Sequence, residues 1–221
     1  MSLLPFVLSG KASMSPQPTA DAPTIQKKLS NTKMGAAYTV CVKDMTDMEL
    51  QRHKRELTMV PIDNGYSGST NASFDAYQTD DVLLHVPRFY GYAQWGAPTT
   101  WDVSDGEEMS LPFKGTLNPV QQTATASTLA QLKRAPHGAL LVLPCGYGKT
   151  VCALWLAQAL GRRTIVLVHK GFLVQQWHER ARMFLPNARL GIIQQNKLET
   201  DADIVVGMVQ SISKREYGDL L

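Results

Sequence analysis

Apolar positions in the second half of the chain fall into short runs separated by stretches of helical period. Ala139-Leu140-Leu141-Val142-Leu143, Thr164-Ile165-Val166-Leu167-Val168, Leu190-Gly191-Ile192-Ile193 and Asp203-Ile204-Val205-Val206-Gly207 have strand length and bear many β-branched side chains. The second of them reads as a buried strand. Between the runs, residues 151–160 read as a helix stopped by Gly161. Residues 170–185 set Leu173, Trp177, Ala181 and Phe184 on one apolar face before Pro186. At that spacing Trp177 reads as core and not as a base-stacking platform. Upstream, Pro119 suits a first helical turn, so a helix is expected to run to about Lys133, with Pro136-His137-Gly138 breaking it. Strands alternating with helices from Ala139 onward imply an α/β fold: a parallel, doubly wound sheet with ligands at the carboxyl ends of its strands.

The first half is patterned differently. Tyr38-Thr39-Val40-Cys41-Val42 and Val82-Leu83-Leu84-His85-Val86 read as strands, and Thr46 with Glu49 three residues on predicts a capping box for a helix to about Leu57. Residues 64–73 read as a loop. Residues 2–33 are rich in Ser, Pro, Thr, Ala and Gln without apolar period, as expected of a disordered tail. The expected organisation is a tail over 1–34, a small α+β accessory domain over 35–114, and an α/β lobe over 115–221.

Composition narrows this little. The 221 residues are 44% hydrophobic, and no apolar run approaches the roughly 20 residues of a membrane span, so no membrane partner is expected. Leu3-Leu4-Pro5-Phe6-Val7-Leu8 has no basic residue before it and is interrupted by Pro5, unlike a secretory leader. Cys41, Cys145 and Cys152 lack metal-ligand spacing, which suits a reducing, intracellular setting. Charge is uneven. Over 131–190, Lys133, Arg134, Lys149, Arg162, Arg163, Lys170, Arg180, Arg182 and Arg189 stand against Glu179 alone. Over 75–111 acids dominate, with Arg88 the one base. A polyanion would engage the first segment and avoid the second.

The sharpest chemistry lies in Leu143-Pro144-Cys145-Gly146-Tyr147-Gly148-Lys149-Thr150. A loop that cradles a triphosphate must turn its N–H groups inward, which Gly146 and Gly148 permit because they lack Cβ. Lys149 supplies a cation for the β- and γ-phosphates, Thr150 a hydroxyl for Mg²⁺, and the following helix its positive dipole end. ATP and Mg²⁺ are the expected cofactors, with Pro144, Cys145, Gly146, Tyr147, Gly148, Lys149 and Thr150 lining the site. Lys149 and Thr150 carry the catalytic assignment and Thr150 the metal. Cys145 has no base beside it and is not read as a nucleophile.

These residues resemble a known family. Leu143 stands where the usual phosphate loop has Gly or Ala, and Leu-Pro-Cys-Gly resembles the first motif of superfamily 2 helicases of the XPB type. Val168-His169-Lys170-Gly171-Phe172-Leu173-Val174-Gln175-Gln176-Trp177 resembles motif Ia. Residues 203–212 resemble the segment before the DEAH box. The run is also similar to DEAD/DEAH-type helicases of large eukaryotic DNA viruses, including Pro87-Arg88-Phe89-Tyr90-Gly91 ahead of the ATPase core. The likeness covers roughly 35–217.

The resemblance implies a partial RecA-like lobe, ATP-dependent helicase or translocase activity, and a nucleic-acid partner, DNA rather than RNA. It implies a setting in transcription or replication, in the nucleus or a cytoplasmic viral factory. Gln121 would read adenine, although Asn118 and Val120 stand where the family often has Arg and Tyr. His169, Lys170 and Gly171 would hold a nucleic-acid phosphate by backbone N–H groups, and Gln210 and Ser211 would touch the same strand. No Asp-Glu pair follows residues 204–208, so the chain is expected to stop short of the DEAH box and to be inactive as a hydrolase alone. The alternative is a non-catalytic nucleotide- or nucleic-acid-binding module.

Overall fold

The computed structural model describes residues 29–60 and 73–214. It divides into two units, the first ending at Trp101 and the second beginning at Asp102.

The first unit is built on β1 (Thr32–Met34), β2 (Tyr38–Cys41), α1 (Asp47–Leu57), β3 (Thr58–Met59), β4 (Phe74–Asp75), β5 (Gln78–Thr79), β6 (Leu83–Val86), α2 (Arg88–Trp95) and β7 (Thr100–Trp101). Helix α1 starts where the sequence places it: Thr46 Oγ1 accepts from the Glu49 amide at 3.2 Å and Glu49 Oε2 accepts from the Thr46 amide at 2.8 Å. Five strands form one sheet in the order β5-β6-β2-β1-β7, antiparallel except for the β1–β7 pair. Leu29, Met34, Tyr38, Val40, Leu57, Leu84, Val86 and Trp95 are its buried core. Each fully buried aliphatic among them contributes about 1.5–3 kcal/mol relative to exposure.

Two expectations change here. The tail was expected to reach residue 34, but Leu29 and Met34 are core and Thr32–Met34 is a strand, because the reciprocal Thr32–Thr99 hydrogen bonds tie it to a partner far along the chain. The rest of the expected tail, and residues 64–72 of the expected loop, lie outside the described residues. Pro87-Arg88-Phe89-Tyr90-Gly91 opens helix α2 and is a packing device. A Cβ on Gly91 would lie 2.3 Å from Tyr38 Cγ, so only glycine lets this helix sit on β2. Arg88 Nε meets Met34 Sδ at 3.4 Å, and Tyr90 reaches His53.

The second unit holds α3 (Pro119–Leu132), α4 (Lys149–Leu160), β8 (Thr164–Val168), α5 (Gly171–Phe184), β9 (Leu190–Gln194), β10 (Lys197–Leu198), β11 (Ile204–Met208) and α6 (Val209–Ile212). Its sheet runs β10-β9-β11-β8, with β9, β11 and β8 parallel and β10 a short antiparallel edge. Strand β11 is central, and Ile204, Val205 and Val206 are buried on both its faces. Helix α5 covers one face through Val174, Ala181 and the half-buried Trp177, which is core as expected. Ile212 of α6 packs on Ile193, Ala202 and Val205 across the other.

The division lies earlier than the expected 114/115 boundary. Met109 is core beside Leu154 and Ala157, Phe113 stacks on Phe184 at 5.5 Å, and the Lys114 amide donates to the Phe184 carbonyl at 2.7 Å. Met109, Leu111 and Phe113 alternate with Ser110, Pro112 and Lys114, a short period of two whose apolar side packs on the second unit although no strand forms there.

Residues 139–143 form no strand, contrary to expectation. Leu140 and Val142 are 88% and 78% exposed, and among the described residues no strand pairs with this segment. An apolar run of strand length states a tendency to be buried, but the strand itself needs a hydrogen-bonded neighbour. Strand β8 also departs from the buried strand expected. Val166 and Val168 face the core while Ile165 and Leu167 are 45% and 58% exposed.

Candidate nucleotide and nucleic-acid site

The phosphate-loop sequence turns at two glycines. Gly146 and Gly148 adopt φ values of 82° and 75°, a region costly for any residue with a Cβ. Gly148 is also the residue before α4, whose first N–H groups have no intrahelical acceptor and open on the loop. Lys149 Nζ lies back across the loop, donating to the Leu143 carbonyl at 2.7 Å and the Pro144 carbonyl at 3.0 Å. The ammonium is held by neutral carbonyls, which an anionic oxygen would outcompete. Cys145, Tyr147 and Lys149 are exposed, and Thr150 is half-buried in the first turn of α4. Left-handed glycines, an open helix N-terminus, a movable cation and an adjacent hydroxyl fit a nucleotide triphosphate with its Mg²⁺.

Gln121 is committed more heavily than its sequence setting suggests. Its Oε1 accepts from the Asn118 amide at 3.0 Å, and Asn118 Oδ1 accepts from the Gln121 amide at 2.9 Å, a capping box for α3. Its Nε2 donates to the Tyr147 carbonyl at 3.1 Å. An amide nitrogen carries two hydrogens, so one donor remains beside the loop for a base.

The parallel register brings the other candidates to one edge. His169 and Lys170 follow β8, Gly171 opens α5, and Gln210 and Ser211 follow β11. Gln210 Nε2 donates to the His169 carbonyl at 2.9 Å, joining two segments 41 residues apart. Sequence reasoning missed a third contributor. The two-residue turn Gln195-Asn196 between β9 and β10 reaches the same edge, where the Gln195 amide donates to Ser211 Oγ at 2.9 Å. Its signal was the run of three amide residues Gln194-Gln195-Asn196 after the apolar Ile192-Ile193, which reads as an ordinary turn until β9 and β11 are known to be neighbours.

The basic excess over 131–190 divides by strand polarity. Arg163 and Arg189 precede β8 and β9, at the amino ends of the sheet. Arg163 Nε and Nη2 donate to the Ala202 and Thr200 carbonyls at 2.8 and 2.7 Å, and its Nη1 pairs with Glu107. Arg189 Nη2 pairs with Asp203 at 3.0 Å, and Arg162 with Glu108 at 3.4 Å. Hydrogen bonds from Arg189 hold the Asp203 carboxyl below the usual carboxylate range. Asp203 therefore serves the amino edge and stands away from the edge that carries His169 and Gln210. Of the bases over 131–190, Lys149 and Lys170 stand toward the carboxyl edge, where Lys214 after α6 joins them.

Loop and sheet together have the sequence and topology of a partial phosphate-loop α/β lobe. Comparison with known proteins agrees. Residues 114–220 match the family described as type III restriction enzyme, res subunit. The chain is similar to the "Putative ATP-dependent RNA helicase" of Acanthamoeba polyphaga mimivirus, 32% identical over 197 residues, covering 87% of this chain and 37% of that protein. It is also similar to the "Putative helicase" of Invertebrate iridescent virus 3, 26% identical over 144 residues, covering 61% of this chain and 44% of the relative. The chain thus spans less than half the length of these relatives. Its second unit belongs to the superfamily 2 helicase-type domains, and its relatives are helicase-like proteins of large DNA viruses. Among the described residues no helix is long and apolar enough to cross a membrane.

Proposed function

We propose that this chain supplies ATP-binding and strand-contacting parts of an ATP-dependent nucleic-acid helicase or translocase of the XPB-like type. The observation that carries the reading is the phosphate loop at the N-terminus of α4, with Gly146 and Gly148 left-handed and Lys149 resting on carbonyls it can leave. In this reading Mg²⁺ neutralises phosphate charge when bound, and the Thr150 hydroxyl holds it. Lys149 turns from Leu143 and Pro144 to the β- and γ-phosphates, Gln121 offers its remaining amide hydrogen to adenine, and Pro144, Cys145 and Tyr147 shape the loop. His169, Lys170 and Gly171 face a strand phosphate, with Gln210 and Ser211 further along the same strand. The strand is DNA rather than RNA, in an intracellular setting of transcription or replication, and residues 29–101 act as an accessory domain.

Asp203 gives weight to a second reading, a nucleotide- or nucleic-acid-binding module without turnover, since this carboxylate is bound to Arg189 at the amino edge. Phosphoryl transfer needs a carboxylate for the metal and another for the attacking water. Residues 1–221 are expected to bind ATP with Mg²⁺ and to release phosphate no faster than their Lys149→Ala variant. Mg²⁺-dependent turnover above that control would mean that the catalytic acid lies within these residues. Absence of ATP binding would remove both readings of the loop.

A further inference from the structure

At the carboxyl ends of β9 and β11 lies a cavity of about 500 Å³, lined by Gln194, Gln195, Asn196, Met208, Gln210 and Lys214 among others. That size falls within the range of small-molecule sites. Its lining is unusual for a surface that follows a phosphate backbone. Four of these side chains are neutral amides and one is charged, so the group they suit is planar, uncharged and rich in both donors and acceptors. Gln194 Nε2 rests on Met208 Sδ at 3.1 Å, which gives the floor a polarizable thioether. Gln195 stands at φ 52°, a region that a non-glycine residue rarely occupies, and its backbone amide is fixed to Ser211 Oγ. Among the described residues neither the Gln195 side-chain amide nor the Lys214 ammonium has an intramolecular partner. The cavity adjoins the Gln210–His169 link, beside the residues assigned above to strand phosphate.

We propose that this cavity receives one base of a bound single strand, its edge read by the amides of Gln195 and its neighbours while Lys214 meets the adjoining phosphate. The proposal rests on the nucleic-acid reading above and adds to it a contact that is neutral. Amides pair with base edges in single strands, and such contacts release no counterion. Gln195 and the phosphate-facing residues therefore differ in what salt does to them.

The test is equilibrium binding of a short labelled single-stranded DNA, and of its abasic counterpart, to the whole chain over a range of salt. Wild type should bind the base-bearing strand more tightly. Gln195→Gly keeps the positive φ and deletes the amide, and should weaken binding of that strand about two- to tenfold, the worth of one or two neutral hydrogen bonds, with the abasic strand and the salt slope unchanged. Lys214→Ala should weaken both strands and lower the slope by about one phosphate. Equal loss on both strands with Gln195→Gly, no loss on either, or a wild type that does not distinguish the strands would overturn the base-reading cavity alone. A wild type that binds neither strand would overturn the nucleic-acid reading, and this inference with it.

Discussion

Gln121 donates from Nε2 to the carbonyl of Tyr147, 3.1 Å away, while its Oε1 closes the N-terminus of α3, so one side chain couples a helix cap to the phosphate loop. The two bonds can be separated. Gln121→Ala removes both and should destabilise the chain by about 1–2 kcal/mol, with a parallel loss of nucleotide affinity. Gln121→Glu keeps a capping acceptor and loses the donor. It should melt near wild type in a thermal scan yet bind nucleotide several-fold more weakly. If the glutamate variant binds like wild type, the brace on Tyr147 has no part in shaping the loop.

Lys149 is exposed and its ammonium bonds two carbonyls, so its removal should cost little stability. Lys149→Ala is expected to leave the melting temperature within a degree or two and to abolish measurable binding of a fluorescent ATP analogue with Mg²⁺. Binding at wild-type affinity would show that the loop does not hold phosphate through this residue.

Arg163 and Lys170 test the division of charge between the two ends of the sheet. Arg163 makes two backbone hydrogen bonds and ion pairs with Glu107 and Asp201 at the amino edge, so Arg163→Ala should lose about 1.5–3 kcal/mol of stability and leave the salt dependence of strand binding unaltered. Lys170→Ala should be thermally silent and reduce the slope of log affinity against log salt by about one contact. The reverse pattern would place the nucleic acid at the other end of the strands.

These contrasts also mark what could be read from sequence. Helices α1, α3, α4 and α5 and strands β8, β9 and β11 fall within a residue or two of expectation, since Thr46 with Glu49, Pro119, Gly161 and Pro186 are local signals acting on the residues beside them. Strand β1 was hidden because its pairing with β7 depends on Thr32 meeting Thr99, 67 residues away. Helix α2 was hidden because Gly91 finds its reason only in the ring of Tyr38. The phosphate loop was legible as a contiguous motif. The turn at Gln195 was not, because its relevance comes from the order of β9 and β11 in the sheet. Net charge misled for a similar cause: a count of bases over 131–190 sees Arg163 and Arg189 but not the carbonyls and Asp203 that occupy them.

The last expectation concerns pH and the first unit. His53 is 2% exposed, and its Nδ1 lies 2.7 Å from the Tyr90 hydroxyl, which itself donates to Glu56. With that hydroxyl proton committed, His53 Nδ1–H must donate to the Tyr90 oxygen, and Nε2 accepts from Arg52 Nη2 at 3.3 Å. Both ring nitrogens are thus assigned in the neutral form. Burial, and then the Arg52 charge, push the His53 pKa down from its ordinary value, against a smaller opposing effect of Glu56 and Glu49. An unfolded histidine titrates near 6.5. Because the folded pKa is the lower one, the unfolded chain takes up the proton first as pH falls. The His53 contribution is therefore fully present above about pH 6.5 and is lost progressively below it, with a limiting slope of about 1.4 kcal/mol per pH unit. Carboxylates titrate mainly below about 5, which leaves a window from roughly 6.5 to 5 where the histidine dominates. Thermal melts of wild type and His53→Gln across that window should show wild type losing stability faster, since glutamine keeps a donor and an acceptor but cannot charge. Parallel pH slopes for the two proteins would mean that His53 takes up its proton as readily in the fold as in the unfolded chain, and that neither burial nor the Arg52 guanidinium beside Nε2 holds the ring neutral.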